Sequence, residues 1–156
     1  MPATRSATQA DAALITAHRR AMFVSMPNPQ GDLLDAMSLA FEPWVKDRIA
    51  EGRYLGWIVE DGGRVAGSAG LLIVDWPPHP LHPEGNQRGY LLNVFVEPEF
   101  RKRGLAHLLI ERCLTEARER GIRVVTLHSS DAGRPVYEKL GFHPTSEMMY
   151  LEPAKS

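Results

Sequence analysis

Cysteine is nearly missing from this chain, with one residue, Cys113, in 156. A lone cysteine excludes a disulfide framework. Long apolar runs are missing as well, since no stretch approaches the ~20 residues that a membrane helix needs. The start, Met1 to Thr8, lacks the apolar core of a secretory signal. A cytoplasmic protein without membrane association is therefore expected. Nor is there an excess of either charge: 18 Lys and Arg face 19 Asp and Glu, a formal net charge of −1. That balance argues against general nucleic-acid binding, which needs a strongly basic domain. What is present is a globular composition, 44% hydrophobic and 24% charged, long enough to bury one core without crosslinks. One domain spanning residues 1–156 is expected.

The apolar spacing orders the chain. Ala3 to Thr8 alternates like an edge strand, and Asp11 opens a helix carrying Ala13, Leu14, Ala17, Ala21 and Met22. Pro27 to Gly31 ends it. Asp32 begins a second helix with Leu33, Leu34, Met37, Leu39, Ala40, Trp44, Val45 and Ile49 on or near one side, and Pro43 is expected to kink or divide it. Leu55 to Glu60 and Arg64 to Asp75 read as strands of a hairpin turned at Asp61-Gly62-Gly63. From Trp76 to Gly85 four prolines forbid regular structure. His79 and His82 in that loop read as surface histidines, since no further ligands for a metal site are evident.

Tyr90 to Val96 is almost continuously apolar, as in a strand covered on both faces. A helix from Lys102 to Arg120 follows, with Ala106, Leu109, Ile110, Cys113, Leu114 and Ala117 at helical spacing. Cys113 on that apolar face reads as a packed thiol. Val124 to Leu127 is a further strand, Asp131 the N-cap of a short helix through Leu140, and Phe142 to Tyr150 one or two last strands. The order describes a mixed α/β layer structure.

The stretch Val94-Phe95-Val96-Glu97-Pro98-Glu99-Phe100-Arg101-Lys102-Arg103-Gly104-Leu105-Ala106 carries the chemistry. A strand leaves through a basic, glycine-containing loop into a helix, and such a junction aims unpaired N–H groups and the positive helix end at one point. Gly104 has no side chain to obstruct a ligand and Ala106 almost none, so amides from Arg103 to His107 can face a pyrophosphate. Arg101, Lys102 and Arg103 add positive potential, and basic residues suit a helix N-terminus poorly unless an anion compensates them. There is no Gly-Lys-Ser or Gly-Lys-Thr to end a P-loop and no GxGxxG with an acidic residue about twenty positions on. ATP hydrolysis and hydride transfer are thereby set aside.

Arg101-x-x-Gly104-x-Ala106 resembles the acyl-CoA signature of the GCN5-related N-acetyltransferase (GNAT) family, and Asp131-Ala132-Gly133-Arg134-Pro135-Val136-Tyr137-Glu138-Lys139-Leu140-Gly141-Phe142 resembles that family's second conserved segment. The resemblance implies a GNAT-like acyltransferase fold: a mixed central sheet of six or seven strands, the fourth and fifth splayed apart, flanked by about four helices. It implies acetyl-CoA as the acyl donor. By position, Val94, Phe95 and Val96 would line the pantetheine arm, Arg101 and the amides of Lys102, Arg103, Gly104, Leu105, Ala106 and His107 would hold the pyrophosphate, and Asp131 and Tyr137 would lie against the cofactor.

The reaction implied is direct attack of a neutral amine, of a small molecule or peptide, on the thioester through an oxyanion. It needs a base, an oxyanion donor and an acid for the thiolate. Tyr137 matches the family's candidate acid, and a backbone N–H at Phe95 or Val96 the oxyanion donor. The positions where relatives often carry a base hold Tyr90 and Leu92, so the base stays open among Glu97, Asp75, His128 and Asp131. Glu97 also reads as a cap of the turn before Pro98. Asn93 and Ser129 present polar groups to the gap between strands, while Asp75, Trp76 and the turn from Met26 to Asp32 wall the acceptor pocket. Two other readings remain at this level: a non-catalytic acyl-CoA-binding or sensory module, and a purely structural interaction domain. A homodimer paired through the final strands is also left open.

Overall fold

One mixed sheet organises the chain, in the spatial order β1-β2-β3-β4-β5. The structure, a computed structural model, describes residues 1–27, 30–145 and 148–153. The strands are β1 (Ala3–Ser6), β2 (Tyr54–Asp61), β3 (Arg64–Asp75), β4 (Gln87–Val96) and β5 (Val125–Leu127). The first four pair antiparallel in sequence, and β5 joins β4 in parallel. The β2–β3 turn holds Gly62 and Gly63 at φ 60° and 76°, the left-handed pair that a two-residue hairpin of this twist needs.

Helices α1 (Ala12–Val24) and α2 (Gly31–Ala50) cover one face of the sheet, and α3 (Leu105–Glu119) covers the other; α4 (Arg134–Lys139) is short. Strand alternation divides the core accordingly. Ala69, Leu71 and Ile73 of β3 pack with Leu105, Leu109, Ile110, Cys113 and Ala117 of α3. On the opposite face Ala12, Ile15, Phe41, Val45 and Tyr54 form a second cluster with Leu72 and Leu92 against it.

Several expectations are corrected. The described residues hold five strands, not six or seven. No strand forms in the described part of 142–150; Met148, Met149 and Tyr150 are exposed, and Pro144 removes a ladder donor. Residues 146 and 147 of that segment, and 28 and 29 of the turn from Met26 to Asp32, lie outside the described residues.

The buried face of α1 is Ala12, Ile15, Thr16 and His18, whereas Ala13 and Ala17 are exposed. Alanines fit either face, so they misdirect the periodicity. Helix α2 runs unbroken through Pro43. Its missing N–H frees the Leu39 carbonyl, and Leu39 is 82% exposed, where water can take that bond. Helix α3 starts at Leu105, not Lys102, and α4 has Gly133 rather than Asp131 at its N-cap. Ser130 organises that start, its Oγ accepting from Gly133 N–H at 3.1 Å.

Candidate active site

Strand β4 is held on its β5 side only from Gly89 to Leu91, by Val125 to Leu127. From Leu92 to Val96 that edge has no strand partner among the described residues, which leaves backbone donors and acceptors open to a ligand. Inside this stretch β4 bulges. The β3–β4 register steps from Gly70↔Leu92 to Ser68↔Phe95, so Asn93 and Val94 together oppose Ala69. Asn93 takes φ 56°, a left-handed conformation that re-aims the backbone at this point.

The strand then feeds the phosphate-type loop. Lys102 and Gly104 are left-handed, at φ 64° and 77°, on either side of Arg103. Alternation of this kind turns successive N–H groups to one side, and the first amides of α3 have no intrahelical acceptor. Nothing lies within 4 Å of where a Gly104 Cβ would stand, so the approach is clear. The loop therefore combines left-handed backbone, free helix-start amides and open space at one point. Two of its basic side chains are otherwise engaged. Arg101 Nε donates to Val96 O at 2.9 Å, and Arg103 Nη1 is 3.6 Å from Asp61 Oδ2. Their charge contributes to the local potential, while the amides before Leu108 have no intrahelical acceptor.

Tyr137 on α4 packs against the α3-side core, its ring edge-on to Phe142 at 6.0 Å. Burial, with the Cys113 thiol as a smaller cause, raises its phenol above the usual tyrosine value. It is protonated at neutral pH. Cys113 itself is fully buried, and burial pushes its thiol up to about 12, which makes it an inert packing residue.

Across the sheet, α1 supplies two polar side chains that the apolar pattern did not single out. His18 Nδ1 lies 2.6 Å from Ser68 Oγ, its ring 5.0 Å from that of Phe95. Its Nε2 is 3.2 Å from Glu97 Oε1, without the alignment of a hydrogen bond. Burial lowers the His18 pKa, with the Glu97 carboxylate opposing. Arg19 Nη1 donates to Asn93 Oδ1 at 2.7 Å, and Asn93 Nδ2 donates to Tyr54 Oη at 3.1 Å. The side chain of the bulge residue is thus fixed from both ends.

A third group stands where β4 and β5 part. Tyr90 Oη is 2.5 Å from His128 Nδ1, and His128 Nε2 meets Tyr150 Oη and, at 3.1 Å, Met148 Sδ. The imidazole thus stands between the two phenols, one at each ring nitrogen.

The structure thus gathers Asn93, Val94, Phe95 and Val96 with the loop from Arg101 to His107. Asp75 and Trp76 it does not bring there. Asp75 pairs with Gln87, six residues from Asn93 and so about 20 Å along the strand. Trp76 lies against the Arg88 guanidinium, 4.4 Å from its ring centroid. His82 is no surface residue: it is buried, and its Nε2 accepts from Arg88 Nε at 3.0 Å. Glu97 turns to His18 and stands four residues past Asn93, about 13 Å along the strand. Ser129 and Asp131 are exposed.

Residues 18–142 match the acetyltransferase (GNAT) family. The chain is similar to a GCN5-related N-acetyltransferase from Ralstonia eutropha JMP134, at 38% identity and a TM-score of 0.91, over 97% of this chain and 99% of that one. It is also similar to a predicted acetyltransferase with acetyl-CoA from Clostridium acetobutylicum, at 28% identity and a TM-score of 0.86, over 97% and 96% of the two chains. A glucosamine 6-phosphate N-acetyltransferase of Trypanosoma brucei brucei is 36% identical over 91 residues, 58% of this chain and 58% of that protein's length. The family match spans both the open edge of β4 and the loop that follows it, and the chain belongs to the acetyltransferase (GNAT) family.

Proposed function

We propose that the protein is an acetyl-CoA-dependent N-acetyltransferase that transfers the acetyl group directly to a primary amine of a small molecule or peptide. The observation that carries this reading is the unpaired β4 edge from Leu92 to Val96 running into the left-handed loop at Lys102 and Gly104. An extended amide-bearing chain fits the first and a pyrophosphate the second. Bound acetyl-CoA supplies the acetyl group as an activated thioester.

The chain's own residues then have separable tasks. The edge of β4 aligns the pantetheine amides, and the amides from Lys102 to His107 hold the pyrophosphate. The Asn93 bulge turns a backbone N–H of β4 toward the gap, where it serves as oxyanion donor. Tyr137, kept protonated by burial, gives its phenolic proton to the departing thiolate and is reprotonated by the second proton that the nitrogen loses as the amide forms. His128, in contact with Tyr90 and Tyr150, receives the proton that the acceptor's ammonium must lose. A relative named for glucosamine 6-phosphate and one named for the alanine of a ribosomal protein differ in acceptor, so the acceptor is sought in this chain's own side chains.

The test is thiol release from acetyl-CoA over a panel of primary amines, beside calorimetric binding of acetyl-CoA. Acceptor-dependent release supports the enzyme. Tight binding with no release for any amine favours a non-catalytic acyl-CoA module, and no binding removes both readings.

A further inference from the structure

Among the described residues, Arg19 is a half-buried cation without an anion. None of the ion pairs among the described residues includes it. Its guanidinium carbon lies 5.0 Å from the ring centroid of Phe23 and 4.9 Å from that of Phe41. One of its nitrogens, Nη1, donates to Asn93; its Nε is buried with no hydrogen-bond partner among the described residues. The titratable groups that bear favourably on it are the phenols of Tyr54 and Tyr90, not a carboxylate. The next residue on α1 shows the contrast, since Arg20 pairs with Asp35 at 2.7 Å.

An unpaired guanidinium against two aromatic rings has lost hydration without gaining a counter-charge, and such a group is costly unless something binds it. Its position is also specific. Through Asn93 it is anchored to the bulge of β4, beside the open strand edge and on the α1 side of the sheet. The guanidinium fork matches planar carboxylate or phosphate oxygens. We propose that Arg19 selects the acceptor, binding a compact oxyanion, carboxylate or phosphate, carried a few bonds from the amine that is acetylated. This rests on the acetyltransferase reading above. The aromatic walls exclude water from the ion pair, and the Asn93 contact fixes the fork so that the bound oxyanion sets the amine at the bulge.

Matched amine pairs test it: amino acids against their amides, aminoethyl phosphate against ethanolamine, and glucosamine 6-phosphate against glucosamine. Thiol release is measured for each, and titration calorimetry of the CoA-bound protein is run with the same compounds. The anionic member of at least one pair is expected to be favoured in kcat/KM by about 50-fold, the loss typical of a charged hydrogen-bonded contact. The pair that shows it tells carboxylate from phosphate. In Arg19→Gln the preference should fall to within about 3-fold, through KM, with CoA affinity unchanged; Arg19→Lys should keep part of it as a point charge. Equal use of the neutral members by the native protein, or a preference that survives Arg19→Gln, overturns the proposal. If no amine is turned over, calorimetry still decides: anion-selective binding lost in Arg19→Gln upholds the anion site while the enzyme reading falls, and no selective binding overturns the site.

Discussion

Asn93 Nδ2 donates to Tyr54 Oη at 3.1 Å in space that exists because residue 70 is glycine. A Cβ at Gly70 would stand 2.2 Å from that hydroxyl oxygen. Three strands therefore meet in one contact: Tyr54 from β2, the gap at Gly70 on β3, and the left-handed Asn93 on β4. The bulge of β4 is supported from beneath by a fully buried phenol, whose pKa burial raises.

Removing that support is expected to act on stability and catalysis together. Tyr54→Phe leaves the Asn93 amide short of an acceptor and should cost about 1–3 kcal/mol in urea denaturation. Gly70→Ala drives a methyl into the Tyr54 ring and should cost a similar ~1–3 kcal/mol. Both should lower kcat/KM for the acceptor while acetyl-CoA affinity changes little. Unaltered stability in both would show that the contact is incidental.

Gly104→Glu should abolish acetyl-CoA binding. The substitution places a carboxylate in the open approach to the loop and a side chain at φ 77°, where only glycine is relaxed. Calorimetry should show a loss of at least about 100-fold. Native affinity in this variant would remove the loop from the cofactor site.

Tyr137→Phe keeps the ring against Phe142 and deletes only the hydroxyl that carries the proton. Turnover is expected to fall by about 100-fold, the low end for a general acid, with acetyl-CoA affinity within a factor of about 3. A variant with native turnover would assign the thiolate's proton to another group.

His18 should titrate below the ordinary histidine value of 6.5 because burial disfavours its charged form. A group whose pKa is depressed in the folded state contributes stability that is present above the unfolded value and is lost as pH falls toward and through the folded one. Stability should decline on acidification below about pH 6.5, and less steeply in His18→Gln. Glu97→Gln removes the carboxylate that favours the imidazolium, so NMR should place the His18 pKa lower still. A His18 resonance titrating above 6.5 would contradict this placement.

Much of this architecture was legible in residue order. The hairpin at Gly62-Gly63, the long strand into the basic loop and the apolar stripe of α3 follow from period and turn chemistry that hold locally. What escaped depends on long-range packing. Ala13 and Ala17 mimic a buried face, and only the tertiary structure selects Ile15 and His18 instead. Arg19 carries no signal in the sequence, because Phe41 and Asn93, 22 and 74 positions away, meet it only in the fold. Asp75 and Glu97 looked available because sequence does not give distance along a strand from a bulge it does not announce. Tyr150 reaches His128 from a segment expected as a strand.

The most direct measurement of the central claim follows acetyl-CoA and a primary amine together, by thiol release and by mass spectrometry of the amine. In the native protein one acetyl group is expected on nitrogen for each thiol released, and in Gly104→Glu none. Thiol release that does not depend on the amine, or an amine left unmodified while acetyl-CoA is bound and intact, would contradict it.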